Sequence, residues 1–195
     1  MAGAISTGAR ATMGPVALTA TMYAFDIDLA DHDRGVYETL ALRVARHPSE
    51  SDEYLVTRVL AYVLEYEPGI EFSTGGLSAP DEPPITVRDL TGVVRTWVEI
   101  GWPDAARLHK AAKAAPRVVV YPHRDPVQWL RRLAGERIHR AAEVEVRAIE
   151  LALIAELAGR LDRRMACALS VSDRELFVAI GESTLTGAVV RHALA

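Results

Sequence analysis

The sequence predicts an α/β fold, a mixed β-sheet flanked by helices with a hairpin near each end of the chain. Three observations predict it. Segments of period two alternate with segments of period 3.6 through the middle of the chain. Helical segments separate the central strands, which implies right-handed crossovers and sheet faces covered by helices. The chain has 195 residues, half apolar and a quarter charged, enough to bury roughly 70% of its unfolded surface without disulfides.

The elements follow in order. Residues 1–16 are small and polar without periodicity and read as a loose extension, with one domain over 17–195. They lack the apolar run of a secretory leader. Residues 19–29 alternate and carry Tyr23, Phe25 and Ile27, which predicts a strand. Asp31 to Gly35 is turn chemistry, and Val36, Leu40, Leu42 and Val44 then share one face of a second strand. Ser49 is the expected helix cap, with Glu50 in the first turn, and Leu55, Val59, Leu60, Val63 and Leu64 make the buried stripe. Pro68-Gly69 ends that helix, 70–72 is a short strand, and 73–84 with its Gly75-Gly76 pair is a loop.

Residues 85–89 and 93–100 predict two strands joined by Leu90-Thr91-Gly92. Pro103 opens a helix to about Ala115. Residues 117–121 form a buried strand of parallel type, and Asp125 caps a helix through Leu133. A strand is expected over 143–149. A helix over 150–163 turns Leu151, Ile154, Leu157 and Leu161 inward. A hairpin over 165–171 and 175–180 ends the pattern.

Composition narrows the function. The formal net charge is −4, which argues against a basic coat for nucleic acid. The basic residues are arginine apart from Lys110 and Lys113. No apolar run approaches the roughly 18 residues of a membrane span. The single Cys167 excludes an intramolecular disulfide and a CxxC zinc site, and fits a reducing, cytoplasmic setting. Neither a phosphate-binding GxxxxGK[ST] loop, a GxGxxG turn, a GxSxG elbow nor an HExxH helix is present.

What remains is a set of acids. Asp89 ends a strand, and Glu99 lies inside an apolar one beside Trp97. A carboxylate in a half-buried strand is costly unless it is paired or binds a metal. If the two strands pair and bring the carboxylates together, a hard cation relieves their repulsion, and Mg²⁺ (or Mn²⁺ as substitute) suits such oxygen ligands. Arg107 and Lys110 share one face of the next helix, placed to neutralise a phosphorane-like charge. A competing reading makes Asp89 a turn residue and pairs Glu99 with Arg95 or Arg107.

HPSE (47–50), GLSAPDEP (76–83), DLTG (89–92), WVEIGWPD (97–104), RLHKA (107–111) and VVVY (118–121) together resemble the YaeQ family over about 18–181. That family is similar to the PD-(D/E)XK, restriction-endonuclease-like fold. The resemblance implies a metal site of Glu50 from the helix, Asp89 and Glu99, with a catalytic lysine two residues past the second acid. Gly101 stands at that place, so Lys110 becomes the substitute and Arg107 the residue that positions a phosphate. The implied chemistry is Mg²⁺-dependent hydrolysis of a phosphodiester, nucleic acid among the substrates. The alternative is a non-catalytic binding module that keeps the fold and uses the cleft for a protein or nucleic-acid partner. The departure at Gly101 and the acidic charge favour the alternative; the clustered acids favour the enzyme.

Overall fold

A computed structural model describes residues 20–73 and 82–194. The expected extension at 1–16 and the Gly75-Gly76 part of the 73–84 loop lie outside the described residues. The chain opens with a long hairpin, β1 (Thr21–Asp31) and β2 (Val36–Arg46), paired in register from Thr21 with Arg46 to Asp31 with Val36. Its alternation buries Phe25, Ile27 and Leu29 of β1 against Leu40, Leu42 and Val44 of β2.

Helix α1 (Asp52–Leu64) follows. Its cap is Ser51, whose hydroxyl accepts the Tyr54 N–H at 3.2 Å, rather than the expected Ser49. Ser49 instead hydrogen-bonds His47 Nδ1 at 2.6 Å. Glu50 therefore stands just outside the helix. Next come β3 (Ile70–Phe72), β4 (Ile85–Arg88) and β5 (Val94–Ile100), an antiparallel meander. Helix α2 (Ala105–Ala114) crosses to β6 (Arg117–Tyr121), which lies parallel to β5 as the buried VVVY run predicts. Helix α3 (Val127–Leu133) leads to β7 (Glu145–Ile149), again parallel. Helix α4 (Leu151–Gly159) precedes β8 (Arg164–Ser172) and β9 (Glu175–Ile180). Leu151, expected inward, is exposed because α4 starts there and turns Leu153, Ile154 and Leu157 to the core.

A further strand, β10 (Ser183–His192), is absent from the sequence reading. It pairs with β9 through Ser183–Ala188 and with β7 through Val189–His192. It thus joins the terminal hairpins to the central strands in one ten-stranded sheet of order β2-β1-β8-β9-β10-β7-β6-β5-β4-β3. Gly187 hides this strand in the sequence, since glycine weakens a strand pattern. The reason for it is contact. A Cβ at 187 would lie 2.8 Å from Leu153 Cβ, so glycine is what lets α4 pack on β10.

Each sheet face carries its own core. On β6, Val119 and Tyr121 face α1 and α4, while Val118 and Val120 face α2 and α3 with Trp97 and Trp129. On the α1 face a polar network sits under the C-terminal end of α1. Glu65, the C-cap of α1, is a poor charge for the negative end of a helix. Arg117 and Arg147 bind it at 2.6 and 2.9 Å, and the Tyr121 hydroxyl donates to it at 2.6 Å. Glu145 completes the network from β7.

Candidate functional site

The parallel strands β5 and β6 end together, and in α/β sheets ligands collect at the carboxyl ends of such strands. At this edge the chain turns at Gly101, whose N–H donates to the Tyr121 carbonyl at 2.8 Å. Gly101 has φ +95°, and a Cβ there would lie 3.3 Å from His123 Nδ1 and 3.7 Å from Tyr54 Cε2. The conformation calls for glycine, and a Cβ would also press on the His123 ring. The place where the resemblance implies a lysine is therefore one that a lysine backbone adopts only with strain.

Glu99, 2% exposed, is the last inward residue of β5 on the α2 face. The Trp97 indole N–H donates to its Oε1 at 2.6 Å, and Arg107 Nε stands 2.7 Å from the same oxygen. Burial pushes the Glu99 carboxyl up; Arg107 and Trp97 oppose that shift. Arg107 also reaches the Glu82 carbonyl at 2.9 Å, so one guanidinium ties β5, α2 and the entry to β4. Asp104 caps α2 by accepting the Arg107 N–H at 2.8 Å, with Pro103 just ahead of the cap. Lys110 is exposed one turn further along α2.

Glu50 approaches the same edge from the α1 face. Its Oε2 meets Arg58 Nη2 at 2.9 Å, with both side chains almost fully buried. Arg58 donates as well to the Ala45 carbonyl at 2.8 Å, which anchors it to β2. Burial raises the Glu50 carboxyl against the pull of Arg58. Between the two pairs lies Tyr54. Burial pushes its hydroxyl up to about 12, and Glu50 and Glu99 both add to that rise. His123, just past β6, packs edge-on to Tyr54 at 5.3 Å. Burial lowers its pKa, and its Nδ1 is buried with no hydrogen-bond partner among the described residues.

Asp89 is not part of this group. The β4–β5 register pairs Ile85 with Val98 and Arg88 with Val94, which puts Asp89 at the hairpin turn and Glu99 at the opposite end. The six residue steps from Val93 to Glu99 span about 20 Å. The expected meeting of Asp89 and Glu99 is thus corrected: in an antiparallel pair joined by a tight turn, a turn residue and a far-end residue stand a strand length apart. Asp89 shapes the turn instead. Its Oδ1 accepts from Thr91 N at 2.9 Å, Thr91 Oγ1 at 2.6 Å and Val93 N at 3.1 Å, and Arg95 lies 3.4 Å from Oδ2.

The structure therefore pairs Glu99 with Arg107 and Glu50 with Arg58, leaves Tyr54 under the charge of both acids, sets Lys110 on the same helix as Arg107, and removes Asp89. Among the described residues no three His, Cys, Asp or Glu side chains gather to hold a metal ion. The expected Mg²⁺ centre of Glu50, Asp89 and Glu99 does not fit this arrangement: one member is a strand length away and the other two are bonded to arginines. Tyr54, Arg58 and His123 escaped the sequence reading. Only His123 carried a signal, its place directly beyond a buried strand. Among the described residues no helix is long and apolar enough to cross a membrane.

The comparisons with known proteins agree with one another. A family profile described as YaeQ protein matches residues 16–189. The uncharacterized YaeQ protein of Salmonella typhi is 30% identical over 173 residues, 87% of this chain and 94% of that one. Its Escherichia coli K12 counterpart is 28% identical over 172 residues, with the same coverage. The crystal structure of the YaeQ protein from Xanthomonas axonopodis pv. citri superposes with a TM-score of 0.82 at 30% identity, over 90% of this chain and 99% of that one. The YaeQ protein from Pseudomonas syringae gives 0.79 at 30% identity, over 88% and 95%. The chain belongs to the YaeQ family.

Proposed function

We propose that this chain is a binding module on a restriction-endonuclease-like core, and that it takes a phosphodiester-bearing partner, nucleic acid by class, at the β5–β6 edge. The core reading is supported by the run α1, the β3–β4–β5 meander, α2 and the parallel β6. One observation carries the functional reading. Both buried acids of the edge are already neutralised by arginine, Glu50 by Arg58 and Glu99 by Arg107. A buried carboxylate with a guanidinium partner gains little from a cation that must first displace it. Lys110 on α2 and Arg124 beyond β6 are exposed at this edge, where cations suit phosphate oxygens.

A second reading keeps metal-assisted hydrolysis of a phosphodiester, with Glu50 and Glu99 as ligands and Lys110 as charge stabiliser. It is favoured by the desolvation of both carboxylates on either side of Tyr54. Asp89 belongs to neither reading.

Calorimetric titration of the full chain with Mg²⁺ and Mn²⁺, beside fluorescence anisotropy with labelled single- and double-stranded oligonucleotides, separates them. The binding module gives no saturable metal heat, and an oligonucleotide affinity that falls in Lys110→Ala/Arg124→Ala. Saturable metal binding that disappears in Glu99→Gln overturns it in favour of the hydrolase.

A further inference from the structure

We infer that a cavity at the far end of α1 binds a small multivalent oxyanion. The cavity has a volume of about 280 Å³, and its charged lining is Asp31, Asp33, Arg34, Arg147, Arg174 and Arg191. It lies between the β1–β2 turn, the β8–β9 turn, β7 and β10. Leu64, at the C-terminal end of α1, lines it, whereas Glu50 sits just ahead of the N-terminal end. The 13 residues of α1 put the two places about 20 Å apart, so this inference does not rest on the proposed function.

The lining carries more positive charge than its own acids absorb. Arg34 is fully engaged: its Nε binds Asp31 at 2.6 Å, and its terminal nitrogens donate to the Tyr66 and Val63 carbonyls at 3.1 and 3.3 Å. That pair is neutral and closes the α1 C-terminus. Arg147 and Arg117 are balanced by Glu65 and Glu145. Yet Arg147 Nε remains buried with no hydrogen-bond partner among the described residues. Arg174 and Arg191 enter no ion pair among the described residues. Against these two stands only Asp33, whose carboxylate is occupied by the backbone N–H groups of Asp173 and Arg174 at 2.7 and 2.8 Å.

The β8–β9 turn is built to hold Arg174 there. Asp173 and Arg174 have φ of 54° and 66°, left-handed values that are unfavourable for residues with a Cβ and that Asn-Gly adopts more readily. Strained backbone that persists under specific hydrogen bonds clusters at ligand sites. Here Asp33 supplies two such bonds, and the Arg174 carbonyl accepts the Val189 N–H at 2.8 Å. Guanidinium forks match the paired oxygens of phosphate or carboxylate. The volume lies just under the usual range of about 300–1,000 Å³ for small-molecule pockets, which suits a diphosphate or a tricarboxylate better than a nucleotide chain.

The test is calorimetry of the full chain with pyrophosphate and, separately, citrate. Three proteins are compared: wild type, Arg174→Gln/Arg191→Gln, and an Arg131→Gln/Arg132→Gln control on α3. The expected result is saturable pyrophosphate binding, weakened about tenfold or more in the first variant and unchanged in the control. The same pattern with citrate alone keeps the site and makes its ligand a carboxylate. Equal affinity in all three proteins, or no saturable heat from wild type at millimolar pyrophosphate and citrate, overturns the inference. Arg174 and Arg191 are exposed, and unchanged melting of the ligand-free variant checks that the fold is kept. If it melts early, the single Arg191→Glu carries the same comparison.

Discussion

Replacing Arg107 by leucine removes the cation that holds Glu99, and the loss of stability depends on pH in a defined direction. Breaking one side of a buried ion pair costs about 3–5 kcal/mol, because the remaining charge is left without its partner. The Glu99 side chain is 3% exposed and that of Arg107 26%. Water reaches the outer side of the guanidinium, so the low end applies, about 3 kcal/mol at pH 8. Burial already raises the Glu99 carboxyl above its ordinary value of 4.5, and Arg107 is the strongest force opposing that rise. Without Arg107 the carboxyl rises further. A carboxyl raised in the folded state favours folding below its unfolded value and loses that contribution as pH climbs through its folded value. As the pH falls toward that ordinary value, Glu99 therefore takes up its proton earlier in the variant than in wild type, and the charge penalty shrinks. What persists is the lost hydrogen bond to the Glu82 carbonyl, about 1 kcal/mol. Urea denaturation of wild type and variant at pH 5 and pH 8, fitted with a shared slope, reads the difference. Adding Glu99→Gln to the variant should recover most of the pH 8 loss. An equal loss at both pH values, or no recovery by Glu99→Gln, would refute the pairing as the source of the stability.

Two further outcomes follow from the same edge and its hairpin. Gly101→Lys, which puts a lysine where the proposed nuclease-like core would carry one, should confer no Mg²⁺-dependent cleavage of oligonucleotides. It should cost about 1–3 kcal/mol in urea denaturation, because φ of +95° and the nearby His123 ring oppose any side chain there; a stable variant with cleavage activity would contradict this. Hydrogen bonds from Thr91 first, then Val93 and the Arg95 charge, hold the Asp89 carboxyl below its ordinary value. Its contribution is present above the unfolded value of 3.8 and lost as pH falls through the lower folded value. Asp89→Asn should then lower the melting temperature at neutral pH and converge with wild type at the acid end, leaving oligonucleotide and metal titrations unchanged.

Much of the fold was legible because its signals are local. The alternation in β1 and β2, the stripe of α1 and the VVVY run of β6 each announce their element within a few residues. β10 was missed since its deciding feature is not local. Gly187 looks like a strand breaker until Leu153 of α4 is seen against it. The α1 cap slipped by two residues because Ser49 and Ser51 offer the same hydroxyl, and only the fold assigns Ser49 to His47.

The candidate site divides along the same line. That Glu99 needs a partner follows from an acid in an apolar strand, and Arg107 was among the partners named. Which of arginine, metal or a second acid supplies it is a question of register and long-range packing. Asp89 shows how strongly register decides: it stands ten positions before Glu99 in sequence, and the hairpin turns that separation into a strand length. Gly101 is the most instructive position. As a letter, it reads as a missing lysine and suggests a catalytic group lost from an otherwise ready site. As a backbone, it is a left-handed turn closed on the Tyr121 carbonyl, with the His123 ring close against the place of a Cβ. A simple loss would leave room for the lost group. Here the left-handed backbone opposes any side chain and the acids beside it are paired with arginines, so a lysine at 101 would meet strain at its own backbone and carboxylates that already have partners.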